Sequence, residues 1–351
     1  PKNGREHQAR RSIQKGLFPD EHCEACFRAG THSTLSSTFS AALGQFWARL
    51  SAAFDAAGRT APDTLCKAFS NFHGLVDKAD PTEFRPQDIS KTLQALLDVR
   101  ERNSSAAENL ILKKLERAVT ASKDYVKGEE RPGVVATFRQ VNLVSGCNAR
   151  CIHCLGNVNQ EITRGTKIRG KRHKYMRRQL HSEAMKHSDD VTRFYMNGSE
   201  LFLYKNFENL LRECNLEQIC FSISTNGMLL TPKKVEALLD SRCLSSINIS
   251  FDGANRKTVE SIRRGVRYST LLKNTRHFLH ELDKRSIRLP VSISMVLLRE
   301  NIDEAARLVQ LVSRLRDAMT IDLHVNFQLL EHSPAREYVT FRERHGCDMN
   351  D

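Results

Sequence analysis

Apolar residues recur along this chain with two different periods. From Thr34 to about Tyr125 the period is helical. Phe39, Leu43, Phe46, Trp47, Leu50 and Phe54 fall three or four apart, which places them on one helix face. Leu65, Phe69, Phe72 and Val76 form a second stripe, and Ile89, Leu93, Leu96 and Leu97 a third. A fourth helix opens with Ser105 and Glu108 in capping-box spacing and continues through Leu112, Leu115 and Val119. Four amphipathic helices over 34–126 predict a small helical bundle, because each has a single apolar stripe to bury. Residues 1–33 read as an irregular basic segment, and 127–136, beginning "KGEERPG", as a linker.

After the linker the period shortens. "TFRQVNLV" (137–144), "VTRFYM" (191–196), "EQICFSIS" (217–224), "SSINISF" (245–251), "LPVSISMVLL" (289–298) and "TIDLHVNFQ" (320–328) read as strands. Amphipathic helices lie between them, for example Val235, Leu238 and Leu239, or Ile302, Ala305, Leu308, Val309 and Val312. Strand and helix alternating six times predict an α/β fold over 137–330, with parallel strands and right-handed crossovers, as an open sheet or a barrel. Chemistry in such folds gathers at the carboxyl ends of the strands. Residues 331–351 form a C-terminal segment in which Cys347 is the one cysteine.

Composition narrows the class. A chain of 351 residues with 40% hydrophobic content supports one large domain and a smaller one without disulfide staples. No apolar run reaches the roughly 18 residues of a membrane span, and the first thirty residues are too polar for a signal peptide. Ten cysteines are too few for a disulfide scaffold at this length. Cys66, Cys214, Cys220 and Cys243 stand singly among apolar residues, as buried thiols do, so a reducing cytoplasmic setting and no membrane association are expected. The net charge of +13 favours acidic partners: nucleic acid, phosphates or an acidic peptide.

"SGCNARCIHC" (145–154) carries Cys147, Cys151 and Cys154. Three thiols so close together point to a metal. A structural zinc prefers four ligands, and His153, wedged between two of the cysteines, is badly placed to be the fourth. An iron–sulfur cube held by three cysteines keeps one iron open for another ligand.

The three-then-two spacing of these cysteines resembles the signature of radical S-adenosylmethionine (radical SAM) enzymes. Further segments at the strand ends extend the resemblance over about 137–330. "NGSE" (197–200) resembles the family's Gly-Gly-Glu motif, with Ser199 in place of the second Gly and Leu201 where Pro is common. "STNG" (224–227) and "NISFDG" (248–253) resemble segments that hold the ribose and carboxylate. "SIRRG" (261–265) and "LLRENIDE" (297–304) resemble stretches of the peptide and protein maturase branch. The resemblance implies a partial (β/α)6 parallel barrel behind the helical domain, with Cys147, Cys151 and Cys154 holding a [4Fe–4S] cluster. It implies S-adenosyl-L-methionine contacts from Gly198, Ser199, Glu200, Ser224, Asn226, Ser250, Asp252 and Arg263. Ser250 and Asp252, two apart on one strand, are expected to face the same side. Reductive cleavage of S-adenosylmethionine would yield a 5′-deoxyadenosyl radical that abstracts hydrogen from a substrate.

The expected partners are a reductant protein such as a flavodoxin or ferredoxin, and a peptide or an acidic small molecule as substrate. Natural-product biosynthesis and a zinc-stabilised, basic nucleic-acid-binding module without catalysis are the rival readings. "RGTKIRGKRHKYMRRQLH" (164–181) has eight Lys or Arg residues and no acid, either a solvated face or a basic lid beside the active site. Cys23 and Cys26, with His22 and His32, are a further candidate zinc site.

Overall fold

The computed structural model describes residues 47, 50, 51, 53–55, 58–77, 86–101, 106–127, 138–141, 143, 144, 146–154, 185, 193–196, 199–317, 319–330, 345 and 346. The chain divides into two compact units, taken here in turn.

The helical unit contains α1 (Asp63–Asp77), α2 (Pro86–Glu101) and α3 (Ala106–Lys127). Proline suits the first position of α2, where no partner awaits an N–H. Leu65 and Phe69 of α1, Leu96 and Val99 of α2, and Leu112, Leu115 and Val119 of α3 bury together with Leu50 and Phe54. These are the stripes the spacing predicts, and each such side chain contributes roughly 1.5–3 kcal/mol by leaving water. Trp47 stacks on Phe69 with ring centroids 4.6 Å apart. Of the expected capping box only Glu108 is described. Ser105 lies outside the described residues, and the carboxylate of Glu108, fully buried, is paired with Arg59.

The α/β unit is built on a six-stranded sheet. Its strands are β1 (Phe138–Val141), β3 (Arg193–Met196), β4 (Cys220–Thr225), β5 (Leu244–Ser250), β7 (Val291–Val296) and β8 (Leu323–Gln328). They lie in the order β1-β3-β4-β5-β7-β8, so each strand joins the sheet beside its predecessor. The pairs β4–β5, β5–β7 and β7–β8 are parallel. Between the strands run α4 (Phe207–Leu216), α5 (Pro232–Asp240), α6 (Arg256–Ile262), α7 (Tyr268–Lys284) and α8 (Ala305–Arg316). With strands added in unbroken order, right-handed crossovers stack the helices on one face and leave the other open. This is a singly wound partial barrel, not a doubly wound open sheet.

Register separates the two faces. Ile223, Ile247, Ile249, Val291, Ile293 and Met295 are buried on the helix-covered face, where Leu271 of α7 and Ile249 both close on Gly227. Among the described residues of β4, β5, β7 and β8 the opposite face is polar and without carboxylate or lysine. Ser222 pairs with Ser246, Ser224 with Asn248, Asn248 with Ser292, and Ser250 with Ser294. The row continues into His324 and Asn326 of β8. Side chains bond across it: Ser246 to Ser222 at 2.8 Å, Ser292 to Asn248 at 2.9 Å, and Tyr195 with Ser224 at 3.3 Å.

A second, smaller pairing has no counterpart in the sequence pattern. β2 (Arg150–Cys151) runs antiparallel to β6 (Arg263–Arg264), with Cys151 opposite Arg263. Two residues are too few to show a period. Gly265, at φ 90°, makes the approach possible, since a Cβ there would lie 3.1 Å from the Asn148 carbonyl oxygen.

Candidate active site

The cysteine loop leaves the sheet after β1. Cys147 is half-buried, Cys151 buried and Cys154 exposed, and none of the three is in a disulfide. Backbone bonds shape the loop: the Cys154 N–H donates to the Cys151 carbonyl at 3.2 Å, and the Ile152 N–H to the Ile262 carbonyl at 2.9 Å. Two donors point at one sulfur. The Ala149 N–H lies 3.4 Å and Asn226 Nδ2 3.6 Å from Cys147 Sγ. Burial pushes the Cys151 thiol up to about 11, against the lowering charge of Arg263, and burial likewise raises Cys147.

The residues fit a cluster better than a closed one-ion site. Among the described residues, no three His, Cys, Asp or Glu side chains gather closely enough to hold one metal ion. A cube takes each cysteine on a different iron, so its thiolates stand farther apart than those of a tetrahedral zinc. Two hydrogen-bond donors on a sulfur and a buried guanidinium beside the loop suit an anionic thiolate–cluster unit.

Glu200 stands at the carboxyl end of β3 and is 1% exposed. Its backbone N–H donates to the Gly146 carbonyl at 3.2 Å, tying it to the cysteine loop. Its carboxylate accepts from Thr225 Oγ1 at 2.9 Å, the Asn226 N–H at 2.9 Å and the Phe202 N–H at 3.3 Å. The Glu200 side chain therefore braces the end of β4, and burial raises its pKa. The braced residue, Asn226, turns its amide toward the loop and donates to Asn148 Oδ1 at 2.8 Å. Gly227 follows at φ 72°, a left-handed conformation that glycine adopts without cost. Ser199 is half-buried beside Glu200.

At the end of β5 the expected geometry changes. The strand stops at Ser250, whose hydroxyl lies 3.4 Å from that of Ser294. Asp252 is beyond the strand at φ 58°, so strand alternation no longer governs where it points. It is fully buried, accepts from the Val296 N–H at 2.7 Å and pairs with Arg263. His153 Nε2 lies 3.5 Å from the same carboxylate; burial lowers the histidine pKa against the raising charge of Asp252. One terminal nitrogen of Arg263 is thus engaged by a protein carboxylate.

Two residues of the 297–304 motif prove structural. Asn301, 1% exposed, accepts from the Leu298 N–H and donates to the carbonyls of Asp252 and Val296. Glu304 accepts from the Ala254 N–H at 2.7 Å and bonds Asn255 and Thr258 at the start of α6. A side chain that serves distant backbone groups leaves no local periodic signal. Gly198, the basic stretch 164–181 and the Cys23–Cys26 pair lie outside the described residues.

Comparison with known proteins agrees with this geometry. Residues 141–312 match the model of the Radical SAM superfamily. Mycofactocin maturase MftC of Mycolicibacterium smegmatis is 27% identical over 178 residues, 49% of this chain and 40% of that protein. GTP 3′,8-cyclase of Listeria monocytogenes is 23% identical over 216 residues, 59% of this chain and 57% of that protein. The chain therefore spans about half the length of the curated relatives it matches. Streptococcus suis SuiB bound to S-adenosylmethionine aligns with a TM-score of 0.46 and 16% identity, over 75% of this chain and 55% of that one.

Proposed function

The chain belongs to the radical SAM superfamily through residues 141–312, and from that premise we propose that it modifies a peptide or protein. The family works with a [4Fe–4S] cluster and S-adenosyl-L-methionine. In this reading Cys147, Cys151 and Cys154 hold the cluster. Ser199, Glu200, Ser224, Asn226 and Ser250 border S-adenosylmethionine, with Glu200 acting through the strand end it braces. When bound, the two cofactors together supply a hydrogen-abstracting radical by one-electron reductive cleavage. The protein's share is to orient them and keep competing reactants away. A small reductant protein such as a flavodoxin or ferredoxin would deliver the electron.

The open polar face of the sheet carries the substrate reading. Ser246, Asn248, Ser292, Ser294 and Asn326 offer uncharged hydroxyls and amides in register across three strands. Such a surface can match the alternating N–H and C=O groups of a peptide. Among the described residues of β4, β5, β7 and β8 it presents no arginine fork of the kind a triphosphate rewards, and the likeness to a mycofactocin maturase supports the same choice.

The test is reconstitution with iron and sulfide, followed by S-adenosylmethionine, dithionite and the peptides encoded beside its gene. GTP is assayed in parallel. We expect 5′-deoxyadenosine to accumulate with a mass change in one peptide. Turnover of GTP with no peptide altered would overturn the reading.

A further inference from the structure

Among the described residues of the α/β unit, Arg263 is a buried cation beside the cysteine loop, and its surroundings go beyond what contact with a ligand needs. It is 7% exposed and stands opposite Cys151 in the β2–β6 ribbon. The neighbouring Ile152–Ile262 backbone bond locks that register. One terminal nitrogen pairs with Asp252, while the Nε atom is buried without a hydrogen-bond partner among the described residues. A lone buried ion pair of this kind contributes little to stability, since desolvation cancels most of its attraction. An unpaired N–H on a buried guanidinium costs more still. Both observations find a use if something anionic sits beside Arg263.

The cysteine loop provides it. Cys151 and Arg263 are directly opposed in an antiparallel pair, and opposed side chains lie on one face, so the guanidinium shares the side of the Cys151 thiol. Asp252 is fixed by its own anchors: the Val296 N–H on its carboxylate, and Asn301 on its carbonyl. The pair is thus a fixed dipole whose cationic member stands opposite Cys151. His153, within the cysteine loop, places Nε2 3.5 Å from the Asp252 carboxylate, so the pair lies directly against the loop.

We propose that Arg263 and Asp252 form a fixed dipole that sets the reduction potential of the cluster held by this loop, Arg263 raising it and Asp252 lowering it. This rests on the assignment of Cys147, Cys151 and Cys154 as cluster ligands. Reduction adds an electron to a site with little water, so a nearby buried cation favours the reduced form and a nearby anion opposes it. No bond is made or broken. Arg263 and Asp252 act through the cluster and are positioning residues.

The experiment is a mediated dithionite titration of reconstituted protein, followed by the electron paramagnetic resonance signal of the reduced cluster, with iron counted on each sample. Wild type is compared with Arg263→Gln, Arg263→Lys, Asp252→Asn and the double variant Arg263→Gln/Asp252→Asn. The midpoint should fall in Arg263→Gln and rise in Asp252→Asn. Arg263→Lys should stay near wild type, and the double variant should lie between Arg263→Gln and wild type. The double variant leaves no unpaired buried charge, so it covers the case in which Arg263→Gln fails to fold. Equal midpoints in all loaded variants, or shifts of the same sign in Arg263→Gln and Asp252→Asn, would overturn the proposal. Wild-type protein that takes up no iron would overturn the ligand assignment instead.

Discussion

Replacing Asn301 by alanine should be among the most damaging single changes in the α/β unit. The side chain is buried and makes three hydrogen bonds, at 2.8 Å to the Leu298 N–H, 3.0 Å to the Asp252 carbonyl and 2.9 Å to the Val296 carbonyl. Truncation leaves all three backbone groups without this partner. A buried group that loses its bond costs about 1–3 kcal/mol, and partial relaxation keeps the sum below the simple total, so a loss of about 3–5 kcal/mol is expected. Asn301→Asp makes a sharper test. Its carboxylate keeps the acceptor for Leu298 but turns an oxygen toward two carbonyls. Protonation restores one donor, so the folded state holds that proton more tightly than the unfolded chain. Stability of this variant should be greatest below the ordinary carboxylate pKa and fall as pH rises through the raised one. The single tryptophan lies in the helical unit, so urea unfolding is best followed by far-ultraviolet circular dichroism, with hydrogen exchange over 291–304. A loss below 1 kcal/mol in Asn301→Ala, or a pH-independent Asn301→Asp, would refute the reasoning.

Three further outcomes are expected. Gly227→Ala combines a positive φ with a Cβ only 2.5 Å from Leu271 Cδ1, and should cost about 1–3 kcal/mol in thermal or urea unfolding; Leu271→Ala in the same chain should add less than its own separate cost, and strict additivity would argue against the clash. Glu200 has its pKa raised by burial above the ordinary value of 4.5, so its contribution is full below that value and lost as pH rises through the raised one. Melting temperatures of wild type should therefore fall relative to Glu200→Gln across that window, and parallel curves would count against a buried titrating carboxylate. Cys151→Ala should lose most reconstituted iron, measured colorimetrically beside wild type, and an unchanged iron content would remove Cys151 from the ligand set.

The elements of this fold were legible before any coordinates. Stripes such as Leu112, Leu115 and Val119 mark helices because burial on one face imposes their spacing. Runs such as "SSINISF" mark strands for the same reason, and β5 is offset from that run by a single residue at each end. The cysteine spacing and the motifs at the strand ends already pointed to the chemistry, since a loop that holds a cluster must carry its ligands close together. Long-range pairing was not legible. The order of the six strands separates a partial barrel from an open sheet, and it depends on which edge each strand joins, far from it in the chain. The antiparallel pair of Cys151 with Arg263 spans more than a hundred residues and has no period. Asp252 reads as a strand residue, yet its left-handed backbone turns it toward Arg263 and His153. Periodicity reports how a residue meets its near neighbours. The partner of a buried charge is chosen by desolvation, which only the packed chain imposes.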